Sequence, residues 1–236
     1  MTGGGHLSRC WRRRRPAHGP AGHQDRQGWH RLGAPVWDDV DVDPVYRPNA
    51  IPDPPELSNG KVLLRNWTYC DLSCIEEASQ DPVIPIGTTV PRLFSREAGL
   101  AFLERQWQRS VSGEGLSLAI TDAATDTAVG LACLLHRQQP GVVGVGFWTV
   151  ASHRRRGFAR GAVGLLSPWA LGLPSVVRLE ALVQPDDRGS IAVLEKAGFR
   201  REGLLRSFLD LETARADALL YSLVQEDLAT PRSAGP

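Results

Sequence analysis

Residues Trp148 to Gly164 read W-T-V-A-S-H-R-R-R-G-F-A-R-G-A-V-G. An apolar, β-branched run ends at Val150, a basic turn follows, and helical periodicity begins at Gly157. The first amides of a helix lack intrahelical acceptors and share the positive end of its dipole. Gly157 lets the main chain approach a bulky anion, and small Ala159 keeps the path open. Arg154, Arg155, Arg156 and Arg160 add charge. The turn reads as a cradle for a diphosphate. It is neither a Walker loop, since Gly-Lys-Ser/Thr is absent, nor a dinucleotide fingerprint, since the three-glycine spacing is missing.

The pattern on both sides of this turn gives an α+β domain. Upstream, Lys61 to Arg65 reads as a strand, and Asp71 to Gln80 as a helix closed by Pro82 and Pro85. A second helix starts at the cap Ser95 and runs to about Ser110. Three consecutive strands follow at 116–121, 129–136 and 142–150. Gly144 and Gly146 in the last of these suggest a bulge or a close approach by a ligand. Downstream, a helix over 157–171 contains Pro168, which should kink or shorten it. A strand at 177–183, a short helix at 187–197 stopped by Gly198, and strands at 199–208 and 216–228 complete the order β-α-α-β-β-β-α-β-α-β-β.

Residues 1 to 56 carry no apolar periodicity and read as a disordered or linker segment before a domain at 57–230 and a tail at 231–236. Residues 1 to 37 hold seven arginines against the single acid Asp25, while the whole chain is nearly neutral at +1. Nucleic-acid binding through residues 9 to 31 has little behind it, because only Trp11 and Trp29 accompany the charge. Cys70 and Cys74 lie one helical turn apart but lack partners at metal-site spacing, so the four cysteines read as buried thiols and no metal is expected. No apolar run reaches the roughly 18 to 20 residues that span a bilayer, and no secretory signal is recognisable. The expectation is a soluble, cytoplasmic protein without a membrane partner.

Arg154-Arg155-Arg156-Gly157-Phe158-Ala159 resembles the Arg/Gln-x-x-Gly-x-Gly/Ala signature of the GNAT acetyltransferase superfamily, and Gly146-Phe147-Trp148 resembles its fourth strand. Ser190 to Phe199, followed by Glu202-Gly203, resembles the S-x-x-x-L-E-K-x-G-F-x-x-E-G segment of the Rim-like branch, whose best-known members acetylate ribosomal-protein N-termini. Tyr221-Ser222-Leu223 also fits that branch, and the resemblance spans roughly residues 61 to 228.

The resemblance implies a mixed, mostly antiparallel sheet of about seven strands, flanked by helices, whose fourth and fifth strands splay apart. Acetyl-CoA would bind in the gap against Trp148, Thr149 and Val150. Its diphosphate would sit on the segment from Arg154 through Arg155, Arg156, Gly157, Phe158 and Ala159 to Arg160. Amides near Val150 would polarise the thioester carbonyl. The acceptor is a primary amine, on a protein N-terminus or a small molecule, attacking directly in a ternary complex. An α-amino group, with pKa about 7.7 to 8.0, needs less help than a lysine near 10.4. Ser190 matches the serine of the family's Asn-x-x-Ser element and would protonate the leaving thiolate.

The asparagine of that element is Asp187 here, at a position implied to touch the cofactor, and an ionised Asp cannot donate as Asn does. The acid often found on the fourth strand is Gly144. That leaves His136, Glu180, Asp210 and Glu212 as candidate bases. The same gap motivates an alternative, a module that holds acyl-CoA without catalysis. Relatives are monomers or homodimers.

Overall fold

The computed structural model describes residues 51–211 and 214–229. Residues 1–50 and 230–236, with the basic segment and the tail, lie outside them, as does Glu212. Eight strands form one sheet in the order β1-β2-β3-β4-β5-β6-β8-β7. They are β1 (Leu57–Ser58), β2 (Val62–Arg65), β3 (Gly115–Asp122), β4 (Thr127–His136), β5 (Val142–Thr149), β6 (Arg178–Val183), β7 (Arg200–Leu211) and β8 (Ala214–Val224). The helices are α1 (Leu72–Gln80), α2 (Arg96–Ser112), α3 (Phe158–Leu171), α4 (Arg188–Lys196) and α5 (Gln225–Ala229). Neighbouring strands are antiparallel except β5 and β6.

Strand alternation divides the core between two faces. Leu116, Leu118, Ile120, Leu134, Val143, Val145, Leu179 and Ala181 are buried toward α3 and α4. The opposite face meets α2: Ser117 donates from Oγ to Gln106 Oε1 at 2.9 Å, and the rings of Trp67, Phe102 and Trp148 pack together. Ser95 caps α2 by accepting from the amide of Ala98, as its residue type predicts.

Several features differ from the sequence reading. Ile51 is only 5% exposed and β1 pairs with β2, so order begins ahead of residue 57. The final strand ends at Val224 rather than Leu228, because the Asp227 carboxylate caps the amide of Val224 and pairs with Arg200 at 2.6 Å, turning the chain into α5. The β4–β5 ladder runs without a bulge through Gly144 and Gly146. Pro168 sits inside α3 without shortening it. Cys74 and Cys133 are buried, and burial pushes both thiols up in pKa, whereas Cys70 is exposed. Among the described residues no group of three or more His, Cys, Asp or Glu could hold a metal ion, and no helix is long and apolar enough to cross a membrane.

Candidate functional site

The parallel register of β5 with β6 covers only Val142–Gly144 against Arg178–Glu180. Beyond Gly144 the two strands part, and a gap opens along the rest of β5. Main-chain groups of alternate residues point to opposite sides of a strand. Val150 donates its amide to Val129 O at 2.9 Å, back toward β4. Phe147 and Thr149 therefore direct their main chain into the gap. Of the amides near Val150 expected to polarise a thioester carbonyl, that of Val150 itself is already used within the sheet. Thr149 keeps its place on the gap side, Trp148 buries its ring against Trp67, and Phe147 joins the gap-facing set, which parity along the strand alone could have shown.

After β5 the chain makes one short helical turn, Ala151–His153, then bends into α3. Arg155 and Gly157 both take left-handed conformations, with φ of 58° and 87°. Gly157 does so without cost, whereas an L-residue in that region gives up about 1–2 kcal/mol. Among the described residues, no oxygen accepts from the amides of Arg155, Arg156, Gly157, Phe158, Ala159 or Arg160; the first helical bond runs from Gly161 N to Gly157 O at 2.9 Å. Six consecutive donors with the dipole of α3 behind them form an anion cradle at the mouth of the gap.

Three tethers hold the cradle open. The Glu77 carboxylate on α1 accepts from the amide and the hydroxyl of Ser152, each at 2.9 Å. Arg154 donates from Nε to Thr149 O at 3.1 Å and pairs through Nη2 with Asp81 Oδ2 at 2.7 Å. On the other side, Lys61 Nζ donates to the carbonyl of Arg156 and lies 5.5 Å from the Phe158 ring centre. In a trans peptide the carbonyl and the next N–H point oppositely. By drawing the Arg156 carbonyl toward β2, Lys61 turns the Gly157 N–H outward. Arg154 thus spends its charge on Asp81, while Arg155, Arg156, Arg160 and Lys61 surround the donors. Neither Lys61 nor Asp81 could be assigned to the site from sequence, since both reach it only through tertiary packing.

Asp187 caps α4: its Oδ1 accepts from the amide of Ser190 at 2.9 Å. The Ser190 hydroxyl itself, half-buried on the first turn of α4, has no hydrogen-bond partner among the described residues.

The candidate bases separate by position. Asp210 is at the far end of the β7–β8 hairpin, 75% exposed and 3.9 Å from Arg215. His136 pairs with Val143 and so faces α3, with Nε2 buried and unpartnered. Glu180 is the register partner of Gly144 and shares the α2-side face, at the vertex where the strands part. Its Oε1 accepts from Arg178 Nε at 2.8 Å. Arg178 also holds Glu202 through two bonds, 2.8 and 2.6 Å, and keeps that carboxyl down at about 2, so Glu202 stays ionised and is a poor proton acceptor.

With this geometry in hand, comparison with known proteins is direct. The acetyltransferase (GNAT) domain model matches residues 61–200. An uncharacterized N-acetyltransferase, p20, of Bacillus licheniformis is 28% identical over 121 residues, 51% of this chain and 68% of that protein. Mycobacterium smegmatis RimJ in complex with CoA-disulfide superposes with a TM-score of 0.62 at 24% identity, over 72% of this chain and 84% of that one. A putative ribosomal-protein-serine acetyltransferase from Vibrio cholerae gives 0.63 at 18%, over 74% and 99%. The domain match covers more than half of the chain, and the chain belongs to the GNAT acetyltransferase family.

Proposed function

We propose that this protein transfers the acetyl group of acetyl-CoA to a primary amine, by direct attack in a ternary complex. The observation that carries the proposal is the row of six amides from Arg155 to Arg160 that have no acceptor among the described residues, at the end of β5 where it has parted from β6. Those donors would hold the diphosphate. The main chain of Phe147 and the amide of Thr149 would hold the pantetheine arm as an added strand. Bound there, acetyl-CoA presents its thioester toward the vertex at Gly144. A neighbour solved with acetyl-CoA and AMP, a microcin C7 self-immunity acetyltransferase with a TM-score of 0.64, and the RimJ complex with CoA-disulfide support the choice of cosubstrate.

The chain's own residues then divide the proton traffic. Glu180, whose Oε2 has no hydrogen-bond partner among the described residues, takes the proton of the attacking amine. The C–N bond forms as the C–S bond breaks, and Ser190 gives its hydroxyl proton to the departing sulfur. Asp187 does not contact the cofactor through its carboxylate in this account; it fixes the helix turn that presents Ser190. Positioned acids and bases contribute about 10²–10⁴-fold. Ser190→Ala should therefore lower kcat about 100-fold while the KM for acetyl-CoA changes less than threefold, read by thiol release. An unchanged kcat would remove Ser190 from the chemistry.

One observation favours a second reading, a non-catalytic acyl-CoA module. Gly144 has no carboxylate, and the Arg137 guanidinium lies over it. An acetyl-CoA thiol-release screen over N-terminal peptides, aminoglycosides and polyamines decides between them. Turnover with any amine supports transfer. Thermal stabilisation by CoA with no release across the panel supports the module. We place the protein in the cytoplasm, as a monomer or homodimer.

A further inference from the structure

We infer that the amine acceptor carries an anionic group, a carboxylate or phosphate, held by Arg137 and Arg109 beside the vertex of the gap. This rests on the transferase reading and adds the chemical class of its second substrate.

The α2-side face of β5 is notched by two glycines. A Cβ on Gly144 would come within 2.6 Å of the Arg137 guanidinium carbon, and one on Gly146 within 2.9 Å of Cys133 Sγ. The Arg137 guanidinium therefore lies flat in the notch, in the space a side chain of β5 would otherwise fill. On the last turn of α2, Arg109 follows by three residues Gln106, which meets Ser117, the register partner of Cys133. Arg109 thus sits on the helix that covers the side of the sheet where Arg137 fills the notch.

Charge bookkeeping on this face is uneven. Arg178 is saturated by Glu180 and Glu202, and Ser222 Oγ adds a further bond to Glu202 at 2.6 Å. Among the described residues, Arg109 and Arg137 have no carboxylate partner. Arg137 is exposed and Arg109 half-buried, and the planar fork of a guanidinium matches a carboxylate or phosphate through two parallel bonds. Glu180 is the register partner of Gly144, so the same face carries a carboxylate for the amine and, over Gly144, a guanidinium for an anion. A peptide N-terminus followed by an acidic residue fits this polarity. Polyamines and aminoglycosides, which are polycations, do not.

The test compares acetylation of matched amidated tetrapeptides bearing Asp, phosphoserine, Ala or Lys at the second position, with spermidine as a polycation. The account expects kcat/KM at least tenfold higher for Asp or phosphoserine than for Lys or spermidine, and the Asp and phosphoserine arms say which anion fits better. In Arg137→Gln the acidic-to-basic ratio should fall toward one, and in Arg137→Glu it should invert. A ratio at or below one in the parent protein, or a ratio that Arg137→Glu leaves unchanged, overturns the inference. If no amine of this panel or of the wider screen is acetylated although CoA binds, the transfer reading fails, and calorimetry of the same peptides with the CoA-loaded protein still decides the anion site. Tighter binding of the acidic peptides sustains the anion site; equal binding of the Lys peptide refutes it.

Discussion

Gly157→Trp should abolish CoA binding in calorimetry, a loss of more than 100-fold in affinity, while the far-ultraviolet circular dichroism spectrum keeps its shape. The residue is the N-cap of α3 at φ 87°. Around it a Cβ meets nothing closer than Lys61 Nζ at 3.9 Å, so a side chain finds room, and that room is the mouth of the cradle. The indole would cover the neighbouring donors, and the left-handed conformation would cost about 1–2 kcal/mol in stability. Gly157→Ala separates the two effects: it should show the stability loss with a much smaller effect on CoA. Unchanged CoA affinity in the tryptophan variant would place the diphosphate elsewhere.

Arg154→Ala should lose about 2 kcal/mol of unfolding free energy, less than for a fully buried ion pair, because the Arg154 side chain is 44% exposed and solvent screens its charge. The Asp81 side chain is 2% exposed. Its Oδ1 accepts from the amides of Val83 and Ile84, at 2.9 and 3.1 Å, so two donors remain after the substitution, but the countercharge does not. The bond from Arg154 Nε to Thr149 O is lost as well. Adding Asp81→Asn should restore most of the stability, because an amide needs no countercharge. Urea midpoints of the single and double variants measure this, and a loss under about 1 kcal/mol would mean the carboxylate is not held as described. Since this guanidinium serves Asp81, CoA affinity should fall less than tenfold, far less than in Gly157→Trp.

The sequence carried the parts of the fold whose cause is local. Period-2 and helical patterns located β2 through β6, and Ser95 and Gly198 marked helix ends by their residue types. The cradle was legible because an amide row, a helix start and a left-handed glycine all sit within a few residues. β1 escaped notice because two residues have no period; they are strand only by pairing with Leu63 and Leu64. Lys61 and Asp81 were invisible as site residues, since each meets the turn across a large stretch of chain. Gly144 and Gly146 suggest a bulge or a close approach by a ligand; the ladder has no bulge there, and the groups that approach are the protein's own Arg137 and Cys133. Asp187 illustrates the converse: its type suits a helix cap, and it serves as one.

The central claim is that the amides between β5 and α3 grip a diphosphate, and amide NMR reports on those donors one by one. Titrating the ¹⁵N-labelled protein with CoA should move the amide proton resonances of Arg155 through Arg160 downfield, as new charge-assisted bonds form. Pantetheine, which has no diphosphate, should leave them in place. Resonances from Arg155 to Arg160 that stay fixed while CoA binds, or that move equally with pantetheine, would contradict the account.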